Sequence, residues 1–307
     1  MPATMQLPAG VTVLERGWLS SNNILVVGDG HSALIDSGYC THSGQTLALV
    51  DTVLQGQPLD LLLNTHLHSD HCGGNAALQA RYPRLQTRIP PGQAAAVAAW
   101  DEAALSYSAT GQNCPRFGFD ATLQPGSEIR LGALLWQVHG APGHDSHSLI
   151  LFEPASRLLV SADALWERGF GVVFPELDGE EGFVAVGQTL DLIASLQPAT
   201  VIPGHGAPFT DVGAALVRAR ARLQGFLADP PRHLQHAARV LIKFKLMEWQ
   251  SVSPANLLAW GQATPYVSGL LARLYPALGL AQALETVAQD LARAGAATLQ
   301  GQLLQNA

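Results

Sequence analysis

One segment constrains this chain more than any other feature. Residues 65–74 read Thr-His-Leu-His-Ser-Asp-His-Cys-Gly-Gly and follow an apolar run that is typical of a buried strand. Four side chains that can ligate a metal ion fall within six residues: His66, His68, Asp70 and His71. A strand end followed by a turn can direct such side chains into one space. Because a solvated polar loop gains nothing from this density of imidazole and carboxylate, the spacing predicts a metal site.

Three further residues occupy the same kind of position, each after an apolar, strand-like run. His144 lies in Ala-Pro-Gly-His, Asp163 follows Leu-Leu-Val-Ser-Ala, and His205 lies in Pro-Gly-His-Gly. Alone, each is ambiguous, since a histidine in a glycine turn is often a surface residue and an aspartate after a strand often caps a helix. Together with the first segment they place five histidines and two aspartates at predicted strand ends. These nitrogen and oxygen donors suit zinc, iron or manganese.

The hydrophobic pattern divides most of the chain into two strand-rich halves that also carry helices. Short apolar runs predict strands at 23–27, 32–36, 59–64, 129–139, 148–152, 157–161 and 200–202. Helical periodicity covers 44–54, 75–81 and 183–196, and Asn75 is the expected N-cap of the second of these helices. The arrangement predicts an α/β (α+β) fold in which two sheets pack together with helices outside.

The composition of the sequence changes at Asp229-Pro-Pro, a strong helix breaker. After it, nearly all of the sequence has helical composition. We therefore expect two parts, residues 1–228 with the candidate ligands and residues 229–307 as a helical C-terminal extension. Apolar side chains of the extension either line a pocket above the site or form the core face of a helix, and the second interpretation is favoured. They are Phe244, Leu246, Met247 and Trp249.

Composition narrows the class of protein and its partners. At 48% hydrophobic and 13% charged residues, the 307-residue chain is globular rather than disordered. Its net charge is −7 and only Lys243 and Lys245 are lysines, which argues against a nucleic-acid partner. No secretory leader or membrane-spanning run is visible, and three cysteines are too few for a disulfide framework. We expect a cytoplasmic protein with a small-molecule substrate and no membrane partner.

In order and spacing, these motifs resemble the metallo-β-lactamase-fold hydrolases, over about residues 10–228. The resemblance implies a four-layer αββα sandwich with the site along one edge of the two sheets. It also implies two sets of ligands and a bridge between them: His66, His68 and His144 for one metal, Asp70, His71 and His205 for the other, and Asp163 shared. Ala162 stands where glycine is commoner before the aspartate, and Asp-Ser-His follows His144 in place of Thr-Pro-Gly. Neither departure removes a ligand.

The resemblance points to the branch of glyoxalase II, thioesterases and lactonases. The expected function is hydrolysis of a small ester-like substrate, with thioesters and lactones favoured, by a hydroxide bridging two divalent cations, most favourably zinc. Asp70 and Asp163 are the candidate catalytic residues, although ligation suits Asp70 better than a role as base, because a metal-bound carboxylate is a poor base. His147 is a candidate to support the ligands from outside.

Alternatives remain open at this point. They are a mononuclear iron sulfur dioxygenase, β-lactam hydrolysis, and a regulatory or binding protein with little turnover. Asp163 weighs against β-lactam hydrolysis, because true β-lactamases of the family generally lack the bridging aspartate. The sequence leaves open the substrate, the native metal, the number of ions, the oligomeric state (a dimer included) and whether the C-terminal helices line the pocket. Cys72 directly follows His71 and has no assigned function.

Overall fold

The computed structural model describes residues 7–307. The chain divides into two compact units. The first comprises the residues up to Leu105 together with Cys114–Gln224, and the second comprises Ser106–Asn113 and Gly225–Ala307. The division expected from the sequence, between 228 and 229, coincides with the break between two helices, whereas the compact units divide inside the first of these helices.

The first unit contains two sheets. The six-stranded sheet has the spatial order β1 (Val11–Leu14), β2 (Asn23–Gly28), β3 (His31–Ile35), β4 (Leu61–Leu63), β5 (Gln86–Ile89) and β6 (Ala121–Thr122). The five-stranded sheet has the order β11 (Thr200–Pro203), β10 (Leu158–Ala162), β9 (Leu149–Glu153), β8 (Leu134–Gly140) and β7 (Glu128–Leu131). The β3–β4, β4–β5, β5–β6 and β10–β11 pairs are parallel, and the other pairs in these sheets are antiparallel.

Side-chain alternation along the strands builds two layers of core. One face of the first sheet contributes Ile24, Ile35 and Leu63 to a buried cluster that also contains Trp136 and Val160 of the second sheet. The opposite face contributes Leu25, Leu34 and Leu62 to a cluster with residues of α1 and α3. Since consecutive residues of a strand point to opposite faces, these continuous apolar runs are buried on both sides. The predicted α/β sandwich is confirmed.

The helices of this unit follow or connect the strands. They are α1 (Ser43–Leu54), α2 (Ser69–Cys72), α3 (Asn75–Arg81), α4 (Ala94–Ala99), α5 (Phe174–Leu177), α6 (Gly182–Leu196) and α7 (Val212–Ala228), the last of which continues into the second unit. Two single 3₁₀ turns span Cys40–His42 and Pro91–Gln93. Helix α6 forms the crossover between the parallel strands β10 and β11.

The second unit contains four helices and a small sheet. The helices are α8 (Pro230–Trp249), α9 (Pro254–Ala263), α10 (Pro265–Leu274) and α11 (Leu280–Arg293). The sheet has the order β12 (Ser251–Val252), β14 (Leu303–Asn306) and β13 (Ala297–Gln300), and all its pairs are antiparallel. No helix among residues 7–307 has both the length and the apolar character needed to cross a bilayer.

Two local expectations were wrong. The run 129–139 is a hairpin, β7 and β8, because Gly132 with φ +53° turns the chain between them. Asn75 is not an N-cap, since Gly74 holds that position and the Asn75 side chain donates to Asn64 Oδ1 at 2.7 Å. The C-terminal extension is mainly helical, as expected, and it also contains the small sheet.

Candidate metal centre

All seven predicted ligands lie on segments that leave strands of the two sheets. Four of them follow β4, and the one-turn helix α2 holds Asp70 and His71. His144 follows β8, Asp163 follows β10, and His205 follows β11. The connections after strands of both sheets therefore deliver the donors to one place.

The seven side chains form two groups. The first contains His66, His68 and His144, and the second contains Asp70, His71, Asp163 and His205. Within each group, one donor atom from every residue lies within 4.8 Å of the others. His66 and His71 are fully buried, and Asp163, His144 and His205 are nearly so. The resemblance implies the same two groups but shares Asp163 between them. By distance, Asp163 falls in the second group.

Asp163 reaches both groups. Its Oδ2 lies 3.5 Å from His144 Nε2 of the first group and 3.8 Å from His205 Nε2 of the second. Its Oδ1 lies 3.5 Å from His71 Nε2, and His205 Nε2 lies 3.1 Å from Asp70 Oδ2. Tetrahedral ligands at a zinc–nitrogen distance of about 2.0–2.1 Å are separated by about 3.4 Å, so these donor spacings match those around a small cation.

Local backbone geometry places the Asp163 carboxylate. The β10–β11 register shifts between Val160 and Ala162, which marks a bulge, and Ala162 has φ +46°. An alanine in the left-handed region costs about 1–2 kcal/mol, which gives a physical reason for a glycine at this position. Directly after β11, a Cβ on Gly204 would lie 2.1 Å from Asp163 Oδ1, so only glycine leaves room for the carboxylate there.

Hydrogen bonds outside the two groups orient the imidazole rings. His71 Nδ1 lies 2.7 Å from Asp36 Oδ2, so this nitrogen carries the proton that it donates, and Nε2, which faces the second group, is the nitrogen left to bind a metal. The Thr65 hydroxyl donates to the same Asp36 oxygen at 2.8 Å and therefore accepts from His66 Nδ1 at 3.1 Å. Nε2 of His66 is thereby also left as an acceptor.

Two further contacts orient the other histidines of the first group. His144 Nδ1 donates to the backbone carbonyl of Val172 at 2.6 Å, which leaves Nε2 toward the group. His68 directs Nδ1 to within 2.8 Å of His144 Nε2, while its Nε2 lies 3.9 Å from Asp145 Oδ2. Imidazole nitrogens of the three residues thus converge in this group, and ligation of a metal by all three requires His68 to carry its proton on Nε2 rather than on Nδ1.

The two groups differ in charge preference. Burial lowers the pKa of His66 well below its usual range and lowers the pKa values of His68 and His144 to about 4, so these rings are neutral. Burial acts in the same direction on His71, but the carboxylates of Asp36, Asp163 and Asp70 outweigh it and raise its pKa well above the usual range. The second group therefore favours positive charge, which a cation supplies.

The carboxylates respond in the complementary way. Burial alone would raise the pKa of Asp163, but the imidazoles of His205, His71 and His144 hold it well below its usual range. Burial likewise opposes the shift of Asp70, whose pKa is lowered chiefly by His71 and by the hydrogen bond from His205. Both carboxylates are therefore ionised and can act as anionic ligands.

A second, independent observation indicates that these residues can hold a metal ion. Nε2 of His66 and Nε2 of His71 are buried and have no hydrogen-bond partner among the described residues, although each points into its group. An unsatisfied buried nitrogen costs about 1–3 kcal/mol, and a cation satisfies it. The mixture of imidazole and carboxylate donors suits zinc, iron or manganese rather than a soft cation.

Aromatic side chains border the centre. Trp18 stacks on His205 with ring centroids 5.4 Å apart, and 55% of its surface is exposed. Trp166 packs edge-on against both of these rings and donates from Nε1 to Asp163 Oδ1 at 3.2 Å. Phe174 contacts His68 and His144 on the side of the first group. The donors therefore lie between apolar surfaces.

The structure adds one residue to the site and places another away from it. Asp36 was missed from the sequence, although its position at the end of a predicted strand was the same signal that selected Asp163. His147 is exposed, and its ring lies against Gly92 rather than in either group of donors. Its expected role beside the ligands stays a prediction.

The fold and the donor set define a metal-binding α/β sandwich, and comparison with known families agrees. Residues 16–205 match the family model described as the metallo-beta-lactamase superfamily. The chain belongs to this superfamily.

Curated relatives with similar sequences include two hydroxyacylglutathione hydrolases. The one from Brucella anthropi is 26% identical over 199 residues, which cover 62% of this chain and 60% of that protein. The one from Stenotrophomonas maltophilia is 32% identical over 153 residues, which cover 49% of this chain and 48% of that protein. The match therefore spans less than two thirds of the length of either relative.

Solved structures show the same fold over a greater length. A beta-lactamase domain protein from Burkholderia ambifaria aligns with a TM-score of 0.61 at 21% identity and covers all of this chain and 96% of its own. A metallo-beta-lactamase family protein from Thermus thermophilus aligns with a TM-score of 0.58 at 18% identity, over 98% of this chain and 99% of its own. At such identities the likeness shows the fold alone.

Proposed function

We propose that this chain is a metal-dependent hydrolase that cleaves a small ester-like substrate, with thioesters and lactones as the favoured classes. The observation that carries the proposal is the position of Asp163, whose two oxygens each lie 3.5 Å from a histidine of a different group. A carboxylate in this position would be able to serve two cations at once. The proposed centre is therefore dinuclear, with zinc favoured over iron or manganese.

The side chains of the proposed centre have different roles. His66, His68 and His144 would hold one cation, Asp70, His71 and His205 the other, and Asp163 both. Two divalent cations held there would supply a hydroxide nucleophile at neutral pH and polarise the scissile carbonyl. Asp36 acts one step further out, because it keeps the proton of His71 on Nδ1 and so keeps Nε2 available.

Two features support the substrate class. The curated relatives carry a name that denotes hydrolysis of an acyl group from the thiol of glutathione, which is a thioester. In this chain the exposed ring of Trp18 and the adjacent ring of Trp166 form an apolar wall beside His205. Such a wall favours an acyl group with apolar surface, because its burial there removes apolar area from water.

The test is hydrolysis by the zinc-reconstituted protein of a thioester, a lactone, a phosphodiester and a chromogenic cephalosporin. We expect turnover of the thioester or the lactone, and a loss of at least about 100-fold in the Asp163→Ala variant, because even residues that only support metal ligands contribute about 10–100-fold. Asp191→Ala, in which an exposed carboxylate is removed, is the matched control and should retain full activity.

The remaining outcomes each replace the proposal with another function. Zinc binding without turnover of any substrate would favour a binding or regulatory protein. Turnover of the cephalosporin alone would favour β-lactam hydrolysis. Oxygen uptake by the iron-loaded protein on a persulfide would favour a sulfur dioxygenase.

A further inference from the structure

Two of the three cysteines approach each other next to the metal centre. Cys72 is the last residue of α2 and directly follows His71, and Cys114 lies on the connection between α4 and β6. Their Sγ atoms are 3.8 Å apart, although 42 residues separate them in the sequence. Both belong to the first compact unit. A disulfide has a sulfur–sulfur distance of about 2.05 Å, so closure requires an approach of about 1.8 Å.

The two thiols differ in exposure and in their contacts. Cys72 is fully buried, and its Sγ is directed to the backbone carbonyls of His68 at 3.3 Å and Leu67 at 3.5 Å. Cys114 is half-buried, and its Sγ faces its neighbour's carbonyl at the long distance of 3.9 Å. An oxidant in solution therefore reacts with Cys114 first. The sulfur of Cys72 lies close enough to attack the oxidised Cys114.

We propose that Cys72 and Cys114 form an oxidation site that takes a hydroperoxide as its oxidant and closes to a disulfide. The sulfur of Cys114 attacks one peroxide oxygen, the O–O bond breaks, and Cys114 becomes a sulfenic acid while water or an alcohol leaves. The sulfur of Cys72 then displaces the hydroxyl group, the S–S bond forms, and the displaced hydroxyl leaves with the Cys72 proton as water. Two thiols lose two electrons, and one peroxide gains them.

The disulfide changes the segment that carries the ligands. Closure removes the S–H group that contacts the carbonyls of Leu67 and His68, and it draws the end of α2 toward Cys114. His68, Asp70 and His71 all lie on this segment, within four residues of Cys72. Oxidation at this site therefore weakens the hold of the chain on the cations of the proposed centre, and reduction restores it.

The experiment treats the zinc-loaded, full-length protein with hydrogen peroxide, alkylates the remaining thiols and maps the peptides by mass spectrometry. We expect one cross-linked peptide that joins Cys72 to Cys114, and a fall from three to one in the number of thiols that react with the alkylating reagent. Dithiothreitol should reverse the change. The Cys40→Ser variant, which removes the third cysteine, should form the same cross-link, whereas Cys114→Ser should form none.

A second readout separates the cross-link from its effect on the ligands. Zinc transfer to a chromogenic chelator should be about 10-fold faster from the oxidised protein, a change of the size produced by loss of a residue that supports a metal ligand. The rate should return on reduction and should not change in peroxide-treated Cys114→Ser. Thermal unfolding of this variant checks that it folds.

Three results would overturn the inference. One is recovery of three unmodified thiols, another is oxidation of Cys114 to a sulfinic acid without a cross-link, and the third is a cross-link that includes Cys40. If the Cys72–Cys114 cross-link forms and zinc transfer is unchanged, the coupling to the centre is wrong. None of these readouts depends on turnover, so failure of the proposed hydrolase activity leaves the test intact.

Discussion

At the scale of single residues, the contact between Asp36 and His71 decides which nitrogen faces the second group. Asp36 has φ +59°, an uncommon conformation for a residue other than glycine, and its carboxylate accepts from the Thr65 backbone at 2.8 Å and from the Thr65 hydroxyl. Such a backbone persists only when its surroundings fix it. Here the strained residue orients a proposed ligand.

Replacement of Asp36 by alanine should therefore weaken metal binding without removing a ligand. We expect the dissociation constant of the more weakly held zinc ion to rise by about 10–100-fold, because His71 loses the acceptor that sets its tautomer and orientation. Competition with a zinc indicator measures this. Asp191→Ala is the control for the loss of a carboxylate, and equal affinity in the two variants would contradict the role of Asp36.

The donors could be predicted from the sequence because each one is a metal-ligating residue type directly after an apolar run. Of the supporting residues, Asp36 carries this signal at the end of a predicted strand, but Thr65 and Val172 do not. Thr65 and Val172 act through a hydroxyl and a backbone carbonyl that most residues could supply at some position. Trp18 contacts His205 across a long sequence separation that only the folded chain reveals.

At the scale of the elements, the continuous apolar strands of the first sheet support the site from both faces. Leu34 of β3 is fully buried in the cluster that joins this sheet to α1 and α3. The same strand leads directly to Asp36. Packing on the helical side therefore stabilises the end of β3 from which the site is built.

Leu34→Ala should lower the free energy of unfolding by about 2–5 kcal/mol, the cost of a cavity at a fully buried leucine. Urea or guanidinium unfolding measures it. Val217→Ala on α7, where 69% of the side chain is exposed, should change stability by no more than about 0.5 kcal/mol. Equal effects of the two substitutions would contradict the assigned core.

In the second unit, Asp290 of α11 links this helix to α8. Its carboxylate accepts from Arg239 at 2.8 Å, from Gln235 at 3.2 Å and from Arg293 on its own helix. Burial alone would raise the pKa of Asp290, but the hydrogen bonds from Arg239 and Arg293 hold it below its usual range. The ionised carboxylate therefore stabilises the packing of α8 on α11.

Asp290→Asn should lower the free energy of unfolding at pH 7 by about 1.5 kcal/mol, the contribution of a hydrogen bond to a charged group. Because the folded-state pKa is depressed, this contribution is fully present above about pH 4 and is lost as the pH falls through the folded-state value. Unfolding measured at pH 7, 5 and 3.5 should show a difference from the native chain that shrinks only at the lowest pH. A constant difference would contradict the assignment.

Elements were predictable where hydrophobic periodicity was long and uninterrupted. The pattern over 183–196 corresponds to α6, and that over 75–81 to α3. The β7–β8 hairpin was missed because Gly132 interrupts an otherwise continuous apolar run by a single turn. The small C-terminal sheet was missed because strands of two to four residues carry little periodic signal.

At the scale of the whole molecule, a cation held by side chains from both sheets would make the stability of the protein depend on its metal content. His66, His68, Asp70 and His71 follow a strand of the first sheet, and His144, Asp163 and His205 follow strands of the second. The unfolded chain keeps the four donors of residues 66–71 close in sequence but cannot gather all seven. Binding free energy therefore adds to the free energy of unfolding.

Removal of the metal by a chelator should lower the melting temperature by at least about 5 °C. A ligand at 100 times its dissociation constant contributes about 2.7 kcal/mol, and 1 kcal/mol shifts the midpoint of a domain of about 200 residues, the size of the first compact unit, by about 2–4 °C. Differential scanning calorimetry with and without zinc measures the change. Asp163→Ala should show a much smaller shift, and equal melting of the zinc-loaded and chelated native protein would argue against a bound metal.

The most direct test of the central claim is a crystal of the zinc-reconstituted protein with diffraction data collected on both sides of the zinc absorption edge. We predict two anomalous peaks, one among His66, His68 and His144 and the other among Asp70, His71 and His205, with Asp163 in contact with both. Absence of both peaks, or zinc bound only elsewhere, would contradict the metal centre. A single peak would contradict the bridging role of Asp163.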